Sequence, residues 1–152
     1  MGSDKSLINS NVGRLADEMR KSGCSRVIVM CGTAQRSELF DEECIPDSAD
    51  NLSDSLLSVI SQLKGSVQLA PCDAYLADEE LFSRIDGVPV DDNGKRQPLL
   101  AKFDSSMKFE RAPRIRDLFQ MISSCEGGVK ARNVNTPEEF MEIQSYLQTE
   151  DR

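Results

Sequence analysis

The sequence predicts one α/β domain over residues 1–152, a sandwich of helices around a mostly parallel sheet. Helix-type and strand-type patterns alternate along the chain, as they do in proteins that build a parallel sheet from strand–helix units. The run RVIVMC at 26–31 is almost continuously apolar, which is typical of a strand buried on both faces. A chain of 152 residues is long enough to bury a core of its own.

The elements follow from local patterns taken in chain order. Apolar residues recur with helical spacing between Asn9 and Ser22, and Gly23 is a suitable stop for that helix. Thr136-Pro137-Glu138-Glu139 is typical of a helix start, with Thr136 as the cap. The remaining predictions are strands at 26–31, 44–47, 66–70, 98–103 and 129–134, helices at 52–63, 78–85 and 114–123, and a turn at 91–94.

Charge and hydropathy restrict the partners. The formal net charge is −8, which argues against nucleic acid because phosphate-backbone binding needs a basic face. A single nucleotide is still possible, since one lysine and a metal ion can neutralise its phosphates. No apolar run approaches the length of a membrane span and no signal peptide is visible. We therefore expect a cytoplasmic protein that does not bind membranes.

The residue inventory also restricts the chemistry. The chain has no histidine, so Ser-His-Asp catalysis and histidine-ligated metals are excluded. Its five cysteines are odd in number and form no C-x-x-C pair, which indicates reduced thiols rather than a zinc site or a disulfide scaffold. Carboxylates and amides remain, and these oxygen ligands suit Mg²⁺.

Asp73 is the first candidate site residue. The predicted strand at 66–70 runs into Pro71-Cys72-Asp73, and parallel sheets place their sites at the carboxyl ends of strands. The carboxylate of Asp73 can therefore project into a crevice and hold a metal ion. The alternative is a loop aspartate that caps the next helix. We interpret Cys72 as a packing residue, because no histidine is present to activate it.

Three segments, in order, resemble one family. LAPCDAYL at 69–76, with DEEL at 78–81, resembles the P-C-D-x-P-[FY]-[IL] signature of the molybdenum cofactor guanylyltransferases and related nucleotidyltransferases. NVNTPEEF at 133–140 is similar to their N-[IV]-N-T-P-E-[ED]-[LF] segment. MGSDKSL at 1–7 is similar to the last third of their nucleotide loop, L-A-G-G-x-S-x-R-M-G-x-D-K-x-L. The resemblance extends over the whole chain, loosely in the middle.

The resemblance implies a Rossmann-like three-layer sandwich of the nucleotidyltransferase type. Its implied activity is the transfer of GMP from GTP to molybdopterin with Mg²⁺. Lys5 would contact the phosphates and Asp73 would bind the metal, as the two catalytic residues. Asp47 would join them in binding the nucleotide, and Asn133 and Asn135 would bind the acceptor. Each also has a plainer interpretation: Lys5 as a surface lysine, Asp47 as a turn or cap residue, and Asn135 as a loop residue.

The chain departs from the family pattern in two places. The L-A-G-G portion and the strand before it are not in the sequence, and 50–55 replaces the usual G-P-L-[AG]-G turn. We therefore expect a sheet that lacks its first strand, with two strand edges left unpaired. Either the true start lies upstream, or the chain is a relative that has lost catalysis. The alternative functions are transfer of another NMP to a different phosphate acceptor, and non-catalytic binding of a nucleotide or a protein.

Overall fold

The computed structural model describes residues 2–30, 43–45 and 52–132, with side chains described from residue 11 onward except that of Cys44. It has a mixed α/β fold, as the alternating patterns predict. The helices are α1 (Gly2–Lys21), α2 (Leu52–Ile60), α3 (Glu79–Arg84) and α4 (Ile115–Leu118). The strands are β1 (Ile28–Met30), β2 (Glu43–Ile45), β3 (Ser66–Gln68), β4 (Val88–Asp91), β5 (Lys102–Asp104) and β6 (Ser124–Gly128).

The strands form three pairs. β1 pairs with β2 and β4 pairs with β6 in parallel, whereas β3 and β5 are antiparallel. An antiparallel bridge links β5 to the start of β4: the amide of Gly87 donates to the carbonyl of Lys102 at 3.0 Å, and the reverse bond is 2.9 Å. The described strands therefore follow one another in the order β3–β5–β4–β6, with β1–β2 as a separate pair. Their pairing is mixed.

Two apolar clusters position the helices. The first joins α2 and the end of α4 to β3, β4 and β5, and includes Phe103. The second joins α1 to α3. The side chain of Lys102, next to Phe103 on β5, donates to the carbonyl of Phe82 in α3 at 2.6 Å. Adjacent strand residues point to opposite faces, so the two groups of helices cover opposite faces of β5. No helix in the described ranges combines the length and apolarity that crossing a membrane requires.

Helix α1 differs from its prediction at one end. It ends where expected: the amide of Gly23 donates to the carbonyl of Arg20 at 3.1 Å, and Cys24 donates to Met19 at 3.0 Å. The predicted start at Asn9 is wrong, because the helix already begins at Gly2. Residues 2–6 are polar or glycine and show no apolar stripe, but residues 2–8 include no proline, so nothing in them prevents the helix from extending.

The second half of the chain contains the errors in the predicted strands. β4 and β6 were not predicted; the predicted strands at 98–103 and 129–134 begin instead with short 3₁₀ helices, Pro98–Leu100 and Val129–Ala131. β6 reads SCEGG, which lacks the β-branched and aromatic residues typical of strands. Close packing explains Gly127: a Cβ there would lie 2.8 Å from the Cβ of Pro89 on β4.

Gly87 marks a second close approach. Its φ angle is +107°, and a Cβ at this position would overlap the carbonyl oxygen of Ser123. That carbonyl accepts the amide of Val88 at 3.0 Å, so it is fixed where β4 begins. Only glycine suits the backbone angle and the available space together.

Candidate functional site

Asp73 lies in the loop that follows β3, which we call the Asp73 loop (residues 71–78). The amide of Ala74 donates to the carbonyl of Pro71 at 3.1 Å, and Tyr75 donates to Asp73 at 3.0 Å, so the loop turns tightly at Asp73. The Asp73 side chain is half-buried. The alternative role of Asp73 as a helix cap is wrong. Asp78 caps α3, its carboxylate accepting the amide of Leu81 at 3.0 Å.

Helix α1 holds this loop on both sides of Asp73. The side-chain amide of Asn11 donates to the carbonyl of Cys72 at 2.8 Å. The guanidinium of Arg14 donates to the carbonyls of Ala74 and Ala77 at 2.9 and 2.7 Å. It also donates to Oδ1 of Asn11 at 2.8 Å, which orients the amide of Asn11 toward the loop. Two side chains of one helix therefore fix the loop backbone before and after Asp73.

Burial controls the ionisation of this site. It raises the pKa of the Asp73 carboxyl, and a hydrogen bond from the residue's own backbone amide opposes the rise only in part. Burial also lowers the pKa of the Arg14 guanidinium, against the attraction of Glu18 and Asp78. No described side chain forms an ion pair with Asp73. A cation that bound to this carboxylate would offset its desolvation.

Lys130 fixes the far end of the Asp73 loop. Its Nζ donates to Oδ2 of Asp78 at 2.7 Å and to Oε2 of Glu80 at 2.6 Å. Burial lowers the pKa of Lys130, but the two carboxylates outweigh it and the net shift is upward. Lys130 also lowers the pKa of Glu80, with help from Arg84. The carboxylates at the start of α3 therefore anchor the loop as well as facing solvent.

The predicted site residues are described to different extents. Lys5 lies within the backbone of α1 and not ahead of the helix, so the predicted loop–helix junction at this lysine is wrong. Asp47, Asn133 and Asn135 lie outside the described residues. Cys72 is exposed, so its interpretation as a packing residue is also wrong. The structure thus brings the Asp73 loop together with α1, the helix that contains Lys5.

The ligand set that Mg²⁺ would find here is small. Among the described side chains, which lie at 11–30, 43, 45 and 52–132, no group of three or more Asp, Glu, Cys or His can hold a metal ion. Nucleotide sites bind Mg²⁺ through one or two carboxylates together with the phosphates. The single desolvated carboxylate of Asp73 fits that mode and does not fit a site made of protein ligands alone.

The sequence predictions missed Asn11 and Arg14. Asn11 is 5% exposed and lies on the buried face of α1, next to Val12 and one turn before Leu15. An amide on an apolar helix face must find a hydrogen-bond partner, and this requirement is the signal that was available in the sequence. The partner itself, the carbonyl of Cys72, lies 61 residues away along the chain.

Comparison with known proteins identifies a relative by fold alone. No protein-family model matches the chain, and no curated protein matches it. A solved structure, the crystal structure of protein Aq1419 from Aquifex aeolicus VF5, is similar with a TM-score of 0.65 and 15% sequence identity. The match covers 90% of this chain and 86% of that one. At this identity the likeness shows a shared fold and carries no function.

Proposed function

We propose that this protein is a nucleotidyltransferase of molybdenum cofactor biosynthesis, which transfers GMP from GTP to molybdopterin with Mg²⁺. The arrangement of Asp73 supports the proposal best. A desolvated carboxylate follows the end of β3, and helix α1 holds its loop through Asn11 and Arg14. The finer fold that we propose is a Rossmann-like three-layer sandwich, in which such a loop lies at the carboxyl end of a central strand.

In the proposed reaction an acceptor phosphate oxygen attacks the α-phosphorus of the nucleotide. The bond from that phosphorus to the oxygen bridging to the β-phosphate breaks, and pyrophosphate leaves. Mg²⁺ would supply charge neutralisation at the α-phosphate and the attacking oxygen. Asp73 would hold the ion, and the bonds from Asn11 and Arg14 would fix the position of Asp73. The protein thus contributes positioning and no covalent intermediate.

The remaining roles come from the resemblance. Lys5 would contact the phosphates, Asp47 would bind the nucleotide, and Asn133 and Asn135 would bind the acceptor. The location of Lys5 inside α1 favours a second candidate, a relative that binds a nucleotide or a protein without catalysis. Lys5 lies inside the helix that begins at Gly2, and therefore not at the loop–helix junction where a lysine and the helix amides would meet the phosphates together. Transfer of another NMP to a different phosphate acceptor stays the alternative within the same reaction class.

Calorimetric titration with GTP, in the presence of Mg²⁺ and in EDTA, tests the proposal. We expect binding that depends on Mg²⁺, and we expect Asp73→Asn to weaken it by about tenfold or more, because the ion loses a charged ligand. Asp86→Asn is the matched control, since Asp86 is an exposed aspartate elsewhere on the surface. Equal affinity in Asp73→Asn and the parent would exclude Asp73 as the metal ligand.

Turnover separates the alternatives. Pyrophosphate release is measured with each of the four NTPs and with molybdopterin as acceptor. Release with GTP alone supports guanylyl transfer, and release with another NTP supports the neighbouring reaction. Binding of Mg²⁺–GTP without release, in the parent and in Asp86→Asn alike, supports the non-catalytic relative.

A further inference from the structure

A groove of about 690 Å³ lies between β1 and β3 and belongs to neither the Asp73 loop nor its helix contacts. We call it the β1–β3 groove. Its walls combine polar and apolar side chains, and the apolar ones come from both groups of helices: Met19 from α1, with Leu56, Val59 and Ile60 from α2. A ligand in this groove would be covered by apolar side chains on two sides. That is the environment of a strand in the middle of a sheet.

The edge of β3 that faces away from β5 has no strand partner among residues 2–30, 43–45 and 52–132. Gly65 accepts the amide of Ser105 at 2.8 Å, and the amide of Leu69 donates to Ala101 at 2.9 Å, both toward β5. Backbone groups alternate between the two edges of a strand, so those of Ser66 and Gln68 are directed away from β5. Both residues line the groove, and no described strand pairs with β3 on this side. An open row of this kind is a template for another strand.

Charge distinguishes the groove from the rest of the molecule. Among the residues that the structure describes, no aspartate or glutamate lines it, although the whole chain has a net charge of −8. Three cationic side chains do: Arg26, Lys64 and Lys102. Arg26 pairs with Glu43, and Lys102 donates to a backbone carbonyl in α3. Lys64 is exposed and has no ion pair within the described residues, so it is available to an acidic group.

A buried acceptor in the groove lining also lacks a donor. Gln68 uses its Nε2 to bond the carbonyls of Leu69 and Leu100, at 2.7 and 2.8 Å. Its Oε1 is buried and has no hydrogen-bond partner in the described part of the chain. Such an atom costs free energy unless a donor reaches it.

We propose that the β1–β3 groove binds an extended, largely apolar peptide strand with an acidic end residue, which adds to the open edge of β3. The backbone of the peptide bonds Ser66 and Gln68, its apolar side chains contact α1 and α2, and its acidic end pairs with Lys64. Strand addition of this kind derives affinity from main-chain bonds and specificity from side-chain contacts. The proposal uses no nucleotide and is independent of the function proposed above.

The probe is a synthetic hexapeptide, acetyl-DVIVID-amide, with a fluorophore on a glycine–serine tail; an aspartate at each end serves either strand direction. Fluorescence anisotropy with the whole chain measures its affinity. We expect Lys64→Glu to weaken binding about fivefold and to favour the KVIVIK version instead. Lys108→Glu is the matched control, because Lys108 is exposed and lies outside the groove.

Two further measurements test the geometry. N-methylation of alternate amides in the probe leaves its side chains intact and removes strand bonds, so we expect affinity to fall at least about tenfold. Amide hydrogen exchange should slow at Ser66 and Gln68 when the probe binds, and should not change at Leu69, which already has its bond. Failure of the probe to bind, or undiminished binding of the N-methylated form, would overturn the proposal. So would self-association, seen by sedimentation, that the probe does not displace.

Discussion

Substitution of Arg14 by methionine tests the central claim about the Asp73 loop. Methionine keeps an unbranched apolar stem on α1 and removes the guanidinium. The carbonyls of Ala74 and Ala77 then lose their donors, and so does Oδ1 of Asn11. Ala74 and Ala77 are 1% and 0% exposed, so water cannot readily replace the lost bonds.

The expected loss follows from these contacts. A buried carbonyl left without a donor costs about 1–3 kcal/mol, and hydrogen bonds to a charged group contribute about 1.5–3 kcal/mol each. The substitution also removes a charge that is desolvated in the folded protein, as the lowered pKa of Arg14 indicates, and this gain offsets part of the loss. We expect Arg14→Met to lower the free energy of unfolding by about 3 kcal/mol. For a domain of this size that corresponds to roughly 6–12 °C in Tm.

Urea denaturation followed by circular dichroism measures the change, and amide hydrogen exchange locates it. Exchange should rise first at the amides of residues 74 and 75, within the Asp73 loop. Arg14→Lys should recover part of the stability, because an ammonium can reach one carbonyl but cannot bridge two. Arg116→Met is the control: Arg116 is 69% exposed and lies 4.0 Å from Asp117, so its loss should stay within about 0.5 kcal/mol. If the free energy of unfolding of Arg14→Met also lies within about 0.5 kcal/mol of the parent value, as expected for the control, the loop does not depend on Arg14.

Three other changes have defined outcomes. Asp73→Asn should make the protein more stable at pH 7 and leave its stability unchanged at pH 3. The pKa of Asp73 is raised in the folded state, so the parent protein loses stability as the pH rises through that pKa. Equal urea midpoints of the two proteins at pH 7 would contradict this. Lys130→Met should lower the free energy of unfolding by about 1 kcal/mol at pH 7 and by less as the pH falls. The reason is that Lys130 lowers the pKa of Glu80, and protonation of Glu80 removes the stability that their ion pair contributes. A loss that does not change with pH would exclude this role of the ion pair. Gly87→Ala should lower the free energy of unfolding by about 3 kcal/mol or more, because its Cβ has no room. Gly94→Ala should lower it by only about 1 kcal/mol, because Gly94 also has a positive φ angle but open space around it. Similar Tm values for the two variants would refute the close contact at Gly87.

Local signals in the sequence predict the described helices in the first half of the chain, apart from the start of α1. The apolar stripe of α1 and the stop at Gly23 depend on neighbouring residues, and so does the cap of α3 at Asp78. Each requires only contacts within about one turn of helix, so the pattern and its physical cause lie in the same short stretch. The position of Asp73 just beyond β3 was predictable for the same reason, since a proline marks the end of the strand.

Local signals are weak in the second half. β6 contains two glycines, and its strand conformation depends on β4 beside it, where Gly127 leaves the space that Pro89 occupies. The antiparallel pairing of β3 and β5 likewise joins residues more than thirty positions apart. Strand propensity reflects packing against such neighbours more than any preference of the backbone, so sequence patterns alone misplace these strands.

The candidate site divides in the same way. The sequence by itself determined which residue types are available: carboxylates and amides without histidine, and an aspartate after a buried strand. Only the tertiary structure decided that Asn11 and Arg14, about sixty residues earlier, hold the Asp73 loop, and that burial raises the pKa of its carboxyl. Hydrogen bonding and desolvation depend on what surrounds a group in space, and the chain order does not specify that until the helices and strands have packed.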